Sequence, residues 1–550
     1  MPQSYVSPTH GSVGTMAAMR FPALLAALAL ALTACTPGAG SDADARAGDA
    51  ASSETAGTVG PGADQPDRIG RVADFRELAA DLVAQLDDAA LAGAVVVGSY
   101  DGTDPELGAA MVRDHQLAGA IVMAYNLPEA PTPEDVRAVT RTLADSGADR
   151  GWRVFLGVDQ EGGPVSRLST AALDLPPLMA HGAADDAALT TSVTQAQGAD
   201  LRALGFTADF APVADVTIGA GDPAINVRSA GADPELVART VEGAVAGYTD
   251  AGLASSAKHF PGHGALAADS HETLPVSDSS IADMADRDLV PFAAAVEADV
   301  PMIMMGHIGL PGAETTPATL NPEAYSELRD RLDYDGVVVT DALNMGAVTT
   351  RAAGAETVEA IRAGADLALL PPDAGASVTA LQEALDSGEL PRERLVEAAE
   401  RVVAMQLWQE DASGLAVTVD DAAHRVSSFA EESLTVLAGE CSFPEPVEEI
   451  ALSGADAEDV AVFTAAAESA GLQIDPDAGL SVGIDGGSSD VLIATDGPWR
   501  AAGTGADTVL VTYDDYAAGF AAVARYLRGE AEAGGSLPVD VAGARPPGCD

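Results

Sequence analysis

Lysine is all but absent: the 550 residues contain one, Lys258. Histidine is scarce at eight and cysteine scarcer at three, and lysine plus arginine number 28 against 84 acidic residues, for a formal net charge of −56. So strong a deficit of positive charge excludes binding to nucleic acid, or to anionic lipid, through a basic patch. An acidic surface also stays soluble at high ionic strength, where salt screens its self-repulsion. That fits a salt-tolerant source and equally an ordinary solvated surface.

Long apolar runs are missing too. The fourteen residues from Phe21 to Ala34, after Arg20, are too short to span a bilayer as a helix but suit the core of an export signal. The stretch ends in Leu32-Thr33-Ala34-Cys35, which resembles a bacterial lipobox; residues 1–35 are then a lipoprotein signal, with Cys35 as the lipidated residue. Met16 or Met19 would be a more natural start than Met1. Residues 36–70, rich in Gly, Ala, Ser, Asp and Pro, cannot bury a core and read as a disordered tether. In an exported chain the remaining two cysteines, Cys441 and Cys549, are expected to pair as a disulfide, the alternative being two free thiols.

What the chain does have is concentrated. Lys258 opens the run Lys258-His259-Phe260-Pro261-Gly262-His263-Gly264, followed by Asp269-Ser270-His271, so the one ammonium and three of eight imidazoles fall within fourteen residues. Imidazole exchanges protons near neutrality, and beside an Asp it serves proton transfer or metal ligation. The preceding Leu253-Ala254-Ser255-Ser256-Ala257 is small and apolar, as in a buried strand that delivers the motif to its end.

From about residue 71 to 412 short apolar runs alternate with helical patterns. The runs are Gly93–Ser99, Gly119–Ala124, Arg153–Val158, Thr207–Pro212, Ala254–His259, Pro301–Gly306, Gly336–Thr340 and Asp366–Leu370, the count of a (β/α)8 TIM-like barrel. Helices are expected at Ala187–Leu204, Pro234–Ala251 and Thr357–Ala363, with Arg392–Trp408 closing the barrel. After the runs come Asp159-Gln160-Glu161-Gly162-Gly163, Asp215, Lys258-His259, His307 and Asp341, which a barrel would gather at one mouth. Residues 420–550 predict a smaller α/β sandwich, with strands at Ile450–Ser453, Asp490–Thr495 and Asp507–Thr512 and helices at Ala455–Ala470 and Tyr516–Arg528. Its Gly486-Gly487-Ser488-Ser489 loop matches no phosphate-cradling fingerprint.

The spaced string from Lys258 to His271 closely resembles the signature of the exo-β-N-acetylglucosaminidase branch of glycoside hydrolase family 3. The resemblance extends through Gly157-Val158-Asp159-Gln160-Glu161-Gly162-Gly163, Val338-Val339-Thr340-Asp341-Ala342-Leu343 and Ala363-Gly364-Ala365-Asp366, while residues 420–550 resemble the αβα domain of the family's two-domain members. It implies an exo-acting retaining β-N-acetylhexosaminidase that needs no metal or other cofactor. Asp341 would be the nucleophile, His271 the acid/base and Asp269 its orienting partner, while Asp159, Arg167, Arg228, Lys258 and His259 would hold the terminal amino sugar. The implied substrates are peptidoglycan fragments, and the implied setting is a monomer lipid-anchored on the outer face of the cytoplasmic membrane and partly secreted. Family members commonly read Arg-Ser-Phe where this chain has Arg228-Ser229-Ala230, which predicts either looser local packing or a looser subsite for the leaving group. Gly262 and Gly264 would allow the intervening loop to move.

Other readings use the same residues. His259, His263, Asp269 and His271 could ligate a metal, although the first predicted strand lacks the His-x-His of metal-dependent amidohydrolase barrels. A β-glucosidase-type member, a phosphorylase using phosphate as acceptor, and a non-catalytic sugar-binding lipoprotein complete the alternatives.

Overall fold

The computed structural model describes residues 70–348, 352–414 and 421–544. Cys35, the tether up to residue 69 and Cys549 lie outside the described residues. Among the described residues no helix is long and apolar enough to cross a membrane.

Eight strands form one parallel sheet: β1 (Val96–Gly98), β2 (Gly119–Ile121), β3 (Phe155–Val158), β4 (Ala208–Asp209), β5 (Ala254–Phe260), β6 (Met302–Met305), β7 (Val337–Thr340) and β8 (Ala368–Leu369). They pair in the order β7-β6-β5-β4-β3-β2-β1-β8, and a bridge between Val339 and Leu367 brings the ends together in a nearly closed barrel. Every strand is buried along its length, which explains why the runs read as continuously apolar rather than alternating. Tight packing dictates small residues here: a Cβ on Gly119 would stand 1.8 Å from the Phe155 carbonyl oxygen.

Helices cover the barrel where the sequence placed them. Ala187–Ala203 and Pro234–Ala251 begin at Asp186 and Asp233, whose carboxylates accept the Leu189 and Glu235 N–H groups, and Pro234 stands at the first helical position, where no N–H is needed. The long helix Arg392–Ser413 closes the amino-terminal mouth. Its Gln406 amide donates to the Ala118 and Arg153 carbonyls and Gln409 to that of Thr207, satisfying groups just ahead of β2, β3 and β4. Asp366, fully buried ahead of β8, gathers Arg329, Arg394 and Arg401 at the same end. With that end plugged, chemistry is left to the carboxyl ends of the strands.

The second part is a six-stranded sheet: β9 (Thr435–Ala438), β10 (Glu449–Gly454), β11 (Gln473–Ile474), β12 (Ser481–Ile484), β13 (Val491–Ala494) and β14 (Thr508–Val511), ordered β9-β14-β13-β12-β10-β11. Only β9 runs antiparallel to its neighbour. Helices Ala457–Ser469 and Ala517–Leu527 pack together through Phe463 and Phe520, 5.3 Å between ring centres. This is an α/β sandwich, as expected, but the sequence reading missed β9, β11, β12 and the helix Ala422–Ser433. That helix joins the two parts: its Phe429 ring lies 4.4 Å from the ring of His181, in the helix Leu178–Ala184. Cys441 is disulfide-bonded.

Candidate active site

The carboxyl ends of β3 and β5 meet in a charge cluster. The Lys258 ammonium, only 3% exposed, lies 2.6 Å from Glu161 Oε1 and 3.0 Å from Asp159 Oδ1. Arg228, from the loop after β4, clamps Glu161 with two hydrogen bonds of 2.8 Å each. Two cations face two anions. Burial opposes charge on Glu161, Arg228 and Lys258, yet the two cations hold the Glu161 carboxyl well below its ordinary range, and Glu161 in turn holds both cations above theirs. The result is a charged platform of Lys258, Glu161 and Arg228, beside which Asp159 is partly exposed and able to accept hydroxyl donors.

A second cluster centres on Asp215. Its Oδ2 lies 2.7 Å from His259 Nδ1, and its Oδ1 accepts the His263 backbone N–H at 2.6 Å. The carboxylate therefore fixes both ends of the His259–His263 turn. The His263 ring is buried, its Nε2 3.1 Å from Ser270 Oγ, and burial pushes it down to about 4, so it is neutral at pH 7.

Asp341 follows β7, anchored by its N–H on the Met305 carbonyl and with Oδ1 accepting from the Ala342 N–H at 2.7 Å. Burial alone would raise its pKa, but His307, His259, the Ala342 N–H and Lys258 outweigh that and hold it below the usual carboxylate range. The balance favours the ionised carboxylate. His307, after β6, is fully buried and donates from Nε2 to the Ala342 carbonyl at 2.9 Å, with Thr319 Oγ1 2.8 Å from Nδ1. It fixes the backbone that carries Asp341.

The His271 ring is 66% exposed, on the loop after β5, and its Nδ1 lies 2.7 Å from Asp269 Oδ1. Burial of Asp269 is outweighed by the His271 N–H and ring, which hold the Asp269 carboxyl low. With Nδ1 bonded to the carboxylate, Nε2 faces away from Asp269 and is the nitrogen left for proton transfer. The loop is docked on the segment after β7: the Gly346 N–H, five residues past Asp341, donates to the His271 carbonyl at 3.1 Å.

Of the predicted site residues, Asp159, Lys258 and Arg228 share the first cluster and His259 the second, while Asp341 follows β7 and the Asp269–His271 pair docks on the segment after it. Arg167 lies on the hairpin Gln160–Gly162/Val165–Ser166; its N–H donates to Gln160 Oε1, and its Nε has no partner among the described residues. Ala230 is completely buried, and the loop is fastened by Ser229, whose hydroxyl donates to the Asp215 carbonyl at 2.7 Å. Gly262 and Gly264 have a packing reason to be glycine: a Cβ would stand 2.6 Å from Asp288 Cβ and 2.3 Å from the Val216 carbonyl. Sequence reasoning gave no role to Glu161, Asp215 or His307; their only signal was the shared strand-end phase. The His259 ring turns to Asp215, the His263 ring to Ser270 and the His271 ring to Asp269, and among the described residues no group of three or more His, Cys, Asp or Glu is arranged to hold a metal.

Residues 84–405 match the model for the glycosyl hydrolase family 3 N-terminal domain. The chain is 34% identical over 336 residues to beta-hexosaminidase LpqI of Mycobacterium tuberculosis, covering 58% of this chain and 81% of that protein. It is 33% identical over 286 residues to beta-hexosaminidase A of Pseudoalteromonas piscicida, a match spanning 48% of this chain and about half, 48%, of that protein. Among solved structures, the family 3 β-N-acetylglucosaminidase of Paenibacillus sp. str. FPU-7 superposes with a TM-score of 0.73 at 27% identity, over 84% of this chain and all of that one.

Proposed function

The chain belongs to glycosyl hydrolase family 3, and from that premise we propose that this glycoside hydrolase is an exo-acting β-N-acetylhexosaminidase removing terminal β-linked N-acetylglucosamine from cell-wall fragments with retention. The observation that carries the reading is an ionised Asp341 beneath a loop holding the His271–Asp269 pair, next to the Lys258–Asp159–Glu161–Arg228 platform. The beta-hexosaminidase relatives and the Paenibacillus β-N-acetylglucosaminidase support the amino sugar.

Asp341 attacks the anomeric carbon while His271 gives its proton to the departing oxygen, leaving a glycosyl ester on Asp341. Water then attacks that carbon, His271 takes the proton, and the ester bond to Asp341 breaks. Asp269 orients the ring throughout and steadies its charged form. Asp159, Arg167, Arg228, Lys258 and His259 hold the terminal sugar, Arg228 through Glu161. No cofactor takes part, and the enzyme acts as a monomer.

Aryl glycosides and a fluoro sugar test the reading. Aryl N-acetylglucosaminides are hydrolysed in preference to glucosides, product formation does not require phosphate, and a 5-fluoro amino sugar labels Asp341. Asp341→Ala is inactive. His271→Ala loses far more activity on poor leaving groups than on activated ones, which need no proton to depart, and azide partly restores turnover. Label on another residue, or equal losses on both substrate types without rescue, overturns the mechanism. Localisation is proposed from Cys35: wild-type enzyme fractionates with membranes and Cys35→Ala does not, whereas identical distributions refute the anchor.

A further inference from the structure

The end of β4 carries a carboxyl that the mechanism above does not use. Asp209 is completely buried, and its Oδ1 accepts the backbone N–H of Gln160 at 2.9 Å. Gln160 stands between Asp159 and Glu161. Its own amide oxygen accepts the N–H groups of Arg167 at 3.0 Å and Leu168 at 3.3 Å, and its amide nitrogen donates to Ser166 Oγ at 2.8 Å. One carboxyl thus underlies the whole turn from Asp159 to Arg167.

The charges around it are already matched. Lys258 is engaged by Asp159 and Glu161 and Arg228 by Glu161, and Asp209 makes no ion pair among the described residues. Its Oδ2 is buried, and the one polar side-chain group that meets it among the described residues is the Tyr248 hydroxyl. An anionic Asp209 would be a buried charge without an ion-pair partner beside two other carboxylates, and neutralisation removes that cost. Tyr248 lies against it, and the Tyr248 hydroxyl proton is given to Gln197 Oε1 at 2.6 Å, so the phenol oxygen retains lone pairs to accept a donor.

We infer that Asp209 is a neutral carboxylic acid and a positioning residue, accepting the Gln160 N–H with one oxygen and presenting a proton toward Tyr248 with the other. Burial, offset only in part by the Gln160 N–H and Lys258, pushes this carboxyl well above its ordinary range, and Asp159 and Glu161 push the same way. Neutrality leaves the ammonium of Lys258 to Asp159 and Glu161 alone. The positioning role rests on the reading of Asp159 and Arg167 as sugar-binding; the protonation state does not.

Infrared difference spectra of wild-type protein against Asp209→Asn at pH 7 read the proton directly. A neutral-carboxyl C=O band lost in the variant is expected; loss of an ionised-carboxylate band instead overturns the inference. On an aryl N-acetylglucosaminide, Asp209→Ala raises KM roughly tenfold while kcat falls less than about threefold, the pattern of a group acting on ground state and transition state alike. Asp209→Asn, which can accept from Gln160 and donate toward Tyr248 as the acid does, rescues KM to within about twofold of wild type. An Asn variant as damaged as the Ala variant, or a fall in kcat with KM unmoved, overturns it. Should Asp209→Ala not fold, the spectrum and the Asn variant still decide. Should wild type cleave no amino-sugar glycoside, the functional reading fails and the infrared band alone judges Asp209.

Discussion

At the scale of single residues, the site rests on matched charges, and removing one exposes the others. Glu161 is held ionised, against burial, by Arg228 and Lys258, so Glu161→Gln leaves two buried cations sharing only Asp159. A destabilisation of about 3–5 kcal/mol is expected on chemical denaturation, with a higher KM; a variant within about 1 kcal/mol of wild type would show that the cluster is not mutually dependent. His263 adds a pH dependence of definite sign. Its folded-state pKa is lowered by burial from the ordinary 6.5 to about 4, so between those values the unfolded chain binds a proton that the folded one does not. Stability therefore falls as pH drops from about 6.5 toward 4 and this contribution levels off below, and His263→Gln flattens that segment of a Tm-against-pH curve. Equal slopes in both proteins would contradict it. These residues were legible unevenly. The Lys258–His271 string stands out because the chain has so little lysine and histidine, whereas Glu161 and Asp215 are two among 84 acidic residues and only folding distinguishes them.

At the scale of elements, all eight barrel strands lie within the runs read from the sequence except β5, which continues one residue further to Phe260, because a parallel strand buried on both faces is a short apolar block between polar segments. The observed strands are mostly shorter than the runs: β4 keeps two of the six residues in Thr207–Pro212, although Phe210, Ala211 and Pro212 still share backbone hydrogen bonds with Val158, Ser256 and Lys258 on the way to Asp215. In the second sheet the misses have local causes. Thr435–Ala438 follows within two residues of a helix with no turn signal between, and Ser481-Val482-Gly483-Ile484 alternates small and apolar residues without β-propensity at its glycine. Arginine recruitment at β8 was also hidden: Arg329, Arg394 and Arg401 come from two separate helices to one carboxylate. Asp366→Asn is expected to cost about 3–5 kcal/mol of stability by leaving three guanidiniums around an uncharged amide, while KM stays near wild type because this end of the barrel is opposite the site. A normal denaturation midpoint would remove Asp366 as the fastener of that end.

For the whole molecule, covalent and electrostatic terms act on different parts. Cys441 is disulfide-bonded, and Cys549, outside the described residues, is the partner we propose; reduction would then free a loop of roughly a hundred residues and lower stability by about 4–5 kcal/mol in the chain-entropy model, and peptide mapping that pairs Cys441 with anything else refutes the assignment. The net charge of −56 acts everywhere at once. Exposed carboxylates repel one another over distances comparable to the Debye length, about 10 Å at 0.1 M salt and about 3 Å at 1 M, so added NaCl relieves the folded state more than the expanded unfolded chain, where the same charges are farther apart. The platform at the site behaves oppositely, because Lys258, Glu161 and Arg228 are buried and in direct contact, where mobile ions do not reach. Raising NaCl from about 0.05 M to 1 M should therefore raise Tm by several degrees, steeply at first and then to a plateau as screening saturates. KM for a neutral aryl glycoside should stay within about twofold over the same range. Sucrose matched for osmolality, which is excluded from the surface but screens nothing, should not reproduce the steep initial rise. A flat or falling Tm below 0.3 M would mean that the negative surface is already relieved by its own arginines, and a KM that climbs with salt would mean that the charges of the platform are reached by solvent.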